Sequence, residues 1–157
     1  MARLVGIDFG AKLAGTTVIA AADSYTSEIK ILQSQKNKNA DAFLSHYLNQ
    51  IKPDWVGIDA PLSLPGVYQK MEGCYDFHYR KADLEAKAMS PMFLGGLTAR
   101  AMSLRHSLNI PFIEVYPKLA AHGLALHESG YKTSKNEINN CLSLLKQKTS
   151  LDLNGVE

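Results

Sequence analysis

The sequence predicts an α/β domain built on one mixed sheet, and three observations carry that expectation. Short apolar runs rich in β-branched residues stand on both sides of a stretch with helical periodicity. The first three of these runs are separated only by brief polar segments, the mark of an antiparallel meander. The chain has 157 residues, the size of one domain, long enough to bury about two-thirds of the surface that the unfolded chain exposes. Residues 1–157 are therefore expected to form a single unit without staples. A hydrophobic fraction of 46% and a charged fraction of 20% exclude a disordered or fibrous chain.

The elements follow in order. Arg3 to Phe9 is apolar and stops at Gly10, as a buried strand followed by a turn would. Thr16 to Ala21 and Glu28 to Leu32 read as the second and third strands, linked by Asp23-Ser24-Tyr25-Thr26. Polar Lys36 to Asn39 break the pattern, after which Ala42, Phe43, Tyr47, Leu48 and Ile51 recur at helical spacing until Pro53 ends the run. Trp55 to Ile58 is the fourth strand, and Asp59-Ala60-Pro61 closes it, because proline cannot donate to a ladder. A long loop, Leu62 to Gly73, leads to a helix around His78 to Ala88, and a further helix spans Thr98 to Leu108. Phe112 to Tyr116 is the fifth strand, and Ser134 to Lys148 carries Ile138, Leu142 and Leu145 on one helical face.

A helix between two strands implies a right-handed crossover and hence parallel neighbours. A three-strand meander joined through such a crossover to parallel strands is the element order of ribonuclease-H-like domains. The expected strand order is 3-2-1-4-5, with helices on both faces. Met89, Met92, Phe93, Leu94 and Leu97, around Ser90-Pro91 and Gly95-Gly96, form an apolar stretch that packs as core, lies over the site or joins a partner.

A net charge of +2 permits an anionic partner without demanding one. Cys74 and Cys141 lack the paired spacing of a zinc or redox motif and read as ordinary thiols of a reducing compartment. The first residues run directly into strand pattern without the features of a signal peptide, and no segment approaches the roughly 20 apolar residues of a membrane span. A cytoplasmic location with no membrane partner is the expectation. A homodimer is compatible with the sequence but is not specified by it.

One short word occurs twice, Val5-Gly6-Ile7-Asp8 and Val56-Gly57-Ile58-Asp59, each placing an aspartate at the end of an apolar strand. A carboxylate beside buried apolar residues is costly to desolvate unless a cation or several donors compensate it. If the two strands lie side by side and parallel, Asp8 and Asp59 emerge at the edge where α/β proteins place ligands. Glu114, in Phe112-Ile113-Glu114-Val115-Tyr116, would be the third acid on the next strand. Carboxylates and water are the ligands that Mg²⁺ and Mn²⁺ prefer, whereas zinc would ask for His or Cys. Each acid also has an ordinary structural use: Asp8 beside the Gly10 turn, Asp59 in an Asx-turn before Pro61, Glu114 in a strand salt bridge.

Four pieces, Gly6-Ile7-Asp8-Phe9-Gly10, Gly57-Ile58-Asp59-Ala60-Pro61-Leu62, Tyr79-Arg80-Lys81-Ala82-Asp83 and Ile113-Glu114-Val115-Tyr116-Pro117, are spread over most of the chain. Together they resemble the motif series of a predicted-nuclease family, domain-of-unknown-function family 429. The resemblance implies a ribonuclease-H-like fold and, at second hand, nuclease activity. It points to Asp8, Asp59 and Glu114 as catalytic and metal-holding acids, with Asp83 as a further catalytic acid and Arg80 on a helix beside them. The histidine usual before the proline of the last motif is replaced by Tyr116. Arg80 and Asp83 are three residues apart and also suit a pair with each other; otherwise Arg80 grips a phosphate bidentately. Lys12, just past Asp8, is placed to meet an anion or to stand exposed in its turn.

The leading expectation is a Mg²⁺- or Mn²⁺-dependent nuclease, hydrolysing phosphodiesters of nucleic acid through the acidic cluster, with Lys12 and Arg80 as substrate-binding cations. The alternative is a non-catalytic protein of the same fold, or an actin-like binder of nucleotide or phosphate, suggested by the turn Asp8 to Lys12 with Gly15-Thr16-Thr17.

Overall fold

The fold comes from a computed structural model that describes residues 3–23, 28–126 and 134–149. Strands β1 (Arg3–Asp8), β2 (Val18–Asp23), β3 (Ile29–Gln33), β4 (Trp55–Ile58) and β5 (Phe112–Glu114) form one five-stranded sheet in the order β3-β2-β1-β4-β5. β2 pairs antiparallel with β1 and β3, whereas β4 runs parallel to β1 and β5. The mixed sheet and its strand order agree with the sequence expectation. The linker at residues 24–27 lies outside the described residues. β2 starts at Val18 rather than Thr16, because Thr17 is turned into a buried bond in which its amide donates to Ser34 Oγ at 3.1 Å.

The crossover from β3 to β4 is α1 (Ala40–Ile51). Asn39 starts it: its side-chain oxygen accepts from the amides of Asp41 at 2.9 Å and Ala42 at 3.4 Å, satisfying donors that the first turn leaves unpaired. Lys52 ends it in the left-handed region, φ 48°, and Pro53 follows. Leu44 and Leu48 on its inner face are fully buried, each contributing roughly 1.5–3 kcal/mol by burial.

Beyond β4 come a single 3-10 turn (Gly66–Gln69), α2 (Lys81–Ala86), α3 (Pro91–Leu94) and α4 (Gly96–Ser107). α2 is shorter than the predicted His78 to Ala88 because Asp76 accepts the amides of His78 and Tyr79, which holds those residues in a turn. α3 falls in the apolar stretch around Ser90. Ser90 Oγ accepts from the Met92 amide at 3.1 Å, and Thr98 donates to the Pro91 carbonyl at 2.8 Å. Ser90, Pro91 and Thr98 are buried, while Met89 and Phe93 stand exposed.

α4 is tied to α1 by Arg100, whose guanidinium donates to both oxygens of Asp41 and to the Gly10 carbonyl, and lies 4.6 Å from the centre of the Phe9 ring. Val5, Ile7, Val56, Ile58 and Phe112 point to the side where α1 and α4 pack, forming one core with Leu44, Leu48, Ala101 and Leu104.

Helices on both faces were the expectation; α1 and α4 pack on one face, and the residues of the other are about half exposed. The opposite face carries Leu4, Trp55 and Ile113 at 48%, 49% and 47% exposure. The C-terminal helices α5 (Pro117–Gly123) and α6 (Lys135–Thr149) make a separate apolar cluster from Ala121, Leu126 and Cys141, with Leu124 and Leu144 against it. α5 was not anticipated; it begins at Pro117, so β5 stops at Glu114 instead of Tyr116.

Candidate functional site

Register brings the two aspartates together. Gly6 is level with Gly57 and Ile7 with Ile58, so Asp8 and Asp59 stand side by side at the C-terminal ends of parallel neighbours. Alternation does the rest. Val5, Ile7, Val56 and Ile58 turn into the core, so Asp8 and Asp59 leave the sheet on the other face. Asp8 is exposed, and among the described residues its carboxylate has neither a hydrogen bond nor an ion pair.

Asp59 extends the ladder between the two strands. Its amide donates to the Ile7 carbonyl at 3.2 Å, and its Oδ1 then accepts from the Phe9 amide at 2.7 Å. The side chain thus takes up a backbone donor past the end of β4 and fixes the start of the Gly10 turn. That turn needs glycine, because a Cβ at Gly10 would run into the Thr16 side chain.

Glu114 is level with Ile58 and so starts from the core side of the sheet, opposite to Asp8 and Asp59. Its Oε1 accepts from the Leu62 amide at 2.6 Å, which anchors the loop after β4. Both of its oxygens also accept from Arg80, Oε2 from Nη2 at 2.7 Å and Oε1 from Nη1. The same guanidinium donates to Asp83 through Nε at 2.9 Å and Nη2 at 2.6 Å, and to Ser63 Oγ at 3.0 Å. Asp83 in turn accepts from the Arg80 amide at 2.9 Å and closes the N-terminus of α2. Tyr116 completes the group, its hydroxyl 3.2 Å from Glu114 Oε2 and 3.4 Å from Asp83 Oδ1.

The electrostatics follow from this packing. Burial pushes the Asp83 carboxyl up, but the hydrogen bonds and charge of Arg80 outweigh that and hold it below its ordinary value of 3.8. Burial works against the Arg80 charge, yet Asp83 and Glu114 on both sides raise its pKa further. Burial, followed by the negative charge of Glu114, pushes the Tyr116 phenol up to about 12, so it is a neutral donor over the physiological range.

A cleft of about 470 Å³ opens beside this network, lined by Asp59, Arg80, Asp83, Glu114 and Tyr116 together with residues of the α2–α3 connection and the start of α5. Neither Asp8 nor Lys12 lines it. Lys12 instead lies 3.9 Å from Asp41, close to Arg100. The predicted residues therefore divide into the strand-end aspartates, Asp8 exposed and Asp59 half-buried, and a paired network, Arg80 with Asp83 and Glu114; Asp59 belongs to the rim of both. Arg80 spends its donors on protein acceptors, the self-pairing that its spacing from Asp83 allowed. Ser63 and the Leu62 amide were not anticipated, because only the folded path of the loop after Pro61 brings them to Arg80 and Glu114.

No group of three or more His, Cys, Asp or Glu side chains is placed to hold a metal ion among the described residues. Glu114 is drawn toward Arg80, and by register it leaves the sheet on the side opposite the aspartates. Asp8 and Asp59 by themselves fit Mg²⁺ or Mn²⁺, which commonly bind through one or two carboxylates and keep several waters. No helix among the described residues is long and apolar enough to cross a membrane. Neither protein-family models nor curated proteins contain a match to this chain.

Proposed function

We propose that the chain is a divalent-metal-dependent phosphodiester hydrolase of ribonuclease-H-like architecture, acting on nucleic acid at the C-terminal edge of β1 and β4. One observation carries the reading: Asp8 and Asp59 end adjacent parallel strands in register on the same face, and Asp8 keeps an exposed carboxylate with no protein partner among the described residues. An acid left without a protein counter-charge at a sheet edge is what a hard cation requires. The strand order adds support, since a 3-2-1-4-5 mixed sheet with this meander is the architecture the motif resemblance implies.

In this reading Asp8 and Asp59 hold Mg²⁺ or Mn²⁺, and the Phe9 amide fixes the orientation of Asp59. The bound ion would supply activation of water and stabilisation of the departing oxygen. Glu114 and Asp83 act at one remove. By clamping Arg80 they fix the loop after Asp59 and the start of α2, and so the wall facing the substrate. Tyr116 holds a proton between the two acids.

Titration calorimetry with Mn²⁺ and cleavage of single- and double-stranded DNA and RNA test the proposal. The expected outcome is Mn²⁺ binding that Asp8→Asn and Asp59→Asn each abolish, with cleavage lost in both. Mn²⁺ binding unchanged in Asp8→Asn refutes it. Binding of metal without cleavage of any nucleic acid would select the non-catalytic reading of the same fold.

A further inference from the structure

The cleft beside the Arg80 network contains two cations that the network does not use. Its charged lining residues are Asp59, Asp83 and Glu114, with Arg80, Lys87 and Lys118. Asp83 and Glu114 are both ion-paired with Arg80, which shares its single positive charge between them. Lys87 and Lys118 make no ion pair among the described residues. Lys87 follows α2 as its C-terminal cap and Lys118 is the second residue of α5, so the two lysines line the cleft from separate elements. The remaining lining is mostly apolar, with Met89, Leu94, Val115 and Pro117 as its larger members.

The lining limits what fits. A wholly charged ligand would leave the apolar walls unused, and an uncharged one would leave two lysines without an acceptor. A cationic ligand would meet those lysines. The cleft suits an uncharged, partly apolar body bearing one anionic group, and its volume of about 470 Å³ lies in the range of small-molecule sites. A phosphate monoester carries about −1.5 to −2 charges at neutral pH and so matches two ammonium groups, whereas an internal phosphodiester carries one.

We infer that this cleft is a mononucleotide site, in which Lys87 and Lys118 hold a terminal phosphate monoester while the base and sugar lie against Met89, Leu94 and Pro117. The inference deepens the hydrolase reading and rests on it for the source of the nucleotide. Because Asp59 borders both the cleft and the aspartate pair, a nucleotide held here would present the end of a strand to the metal-holding edge. A base held in a cleft has left its stack, so a single strand is the form that enters without unpairing.

The test measures AMP binding by calorimetry without metal, to the wild type, Lys87→Gln, Lys118→Gln and Asp8→Asn. AMP is expected to bind at least about tenfold more tightly than adenosine, each lysine change to weaken AMP by about tenfold, and Asp8→Asn to leave it unchanged. Both lysines are exposed, so their replacement leaves the fold intact. Equal binding of adenosine and AMP, unchanged affinity in both lysine variants, or no AMP binding overturns the inference. A linear 5′-phosphorylated oligonucleotide that displaces AMP identifies a strand end as the source, and displacement by AMP-like mononucleotides alone identifies a free nucleotide. A circular strand that competes as well as the linear one overturns the preference for a monoester. AMP binding that survives in a protein failing to bind Mn²⁺ would refute the hydrolase reading and leave the nucleotide site standing; Mn²⁺ binding without AMP binding would do the reverse.

Discussion

At the scale of single residues, Arg80 is the side chain on which most of the buried polar structure depends. Its side chain is 12% exposed and that of Asp83 only 1%. Removing the guanidinium would leave Asp83 buried without its counter-charge, a loss worth about 3–5 kcal/mol when a buried pair is broken. Arg80→Ala is therefore expected to unfold at markedly lower urea, and Arg80→Lys to recover only part, because an ammonium with three donors cannot serve the four carboxylate oxygens and the Ser63 hydroxyl that the guanidinium meets. Chemical denaturation of the two variants measures this. The pH dependence follows from the same contacts. Asp83 has a depressed folded pKa, so its contribution is complete above its ordinary value of 3.8 and disappears as pH falls through the lower folded value. Tyr116 has a raised one, so its contribution is complete below 10.0 and disappears as pH rises toward about 12. Unfolding curves across pH should lose the acid limb in Asp83→Asn and the alkaline limb in Tyr116→Phe. The Arg80–Asp83 pair was legible from a spacing of three residues. Its extension to Glu114 was not, because that contact joins segments whose separation in sequence carries no periodicity.

Elements were legible where local chemistry and burial agree. β4 matches its predicted range, Trp55 to Ile58, because an apolar run ends at Asp59-Ala60-Pro61, where proline prevents continuation. α1 was legible for the same reason: an amphipathic repeat between Asn39 and Pro53 has both a start and a stop. Asn39→Ala should lower stability by about 1 kcal/mol, read as a shift in the denaturation midpoint at constant slope, since the amides of Asp41 and Ala42 would lose their acceptor. α2 was placed too early, because Asp76 binds the backbone locally and delays the helix. The short α3 and α5 each begin with a proline, a start signal that a reading based on apolar periodicity passes over in helices this brief.

For the molecule as a whole, the strand order followed from connection rules, and with it the proximity of Asp8 to Asp59. The placement of Glu114 did not follow. Three acids on three adjacent strands suggest one cluster, but pleating sends Glu114 off the sheet on the opposite side, and Arg80 holds it there. The resulting division has a measurable effect. Asp8→Asn removes an exposed charge without a partner and should change unfolding stability by less than about 0.5 kcal/mol, while Glu114→Gln disturbs a half-buried network and should cost more than about 1 kcal/mol. Comparing the two denaturation midpoints separates a carboxylate that stands without a partner among the described residues from one on which the local packing depends.

The chain contains one tryptophan, and Trp55 lies on the sheet face opposite the main core with about half its surface in contact with solvent (49%). Its indole is consequently a built-in optical gauge. Any body settling over Leu4 and Ile113 would dry the ring and move its emission to shorter wavelength, whereas events confined to the opposite, helix-packed side would leave the colour of the signal unaltered.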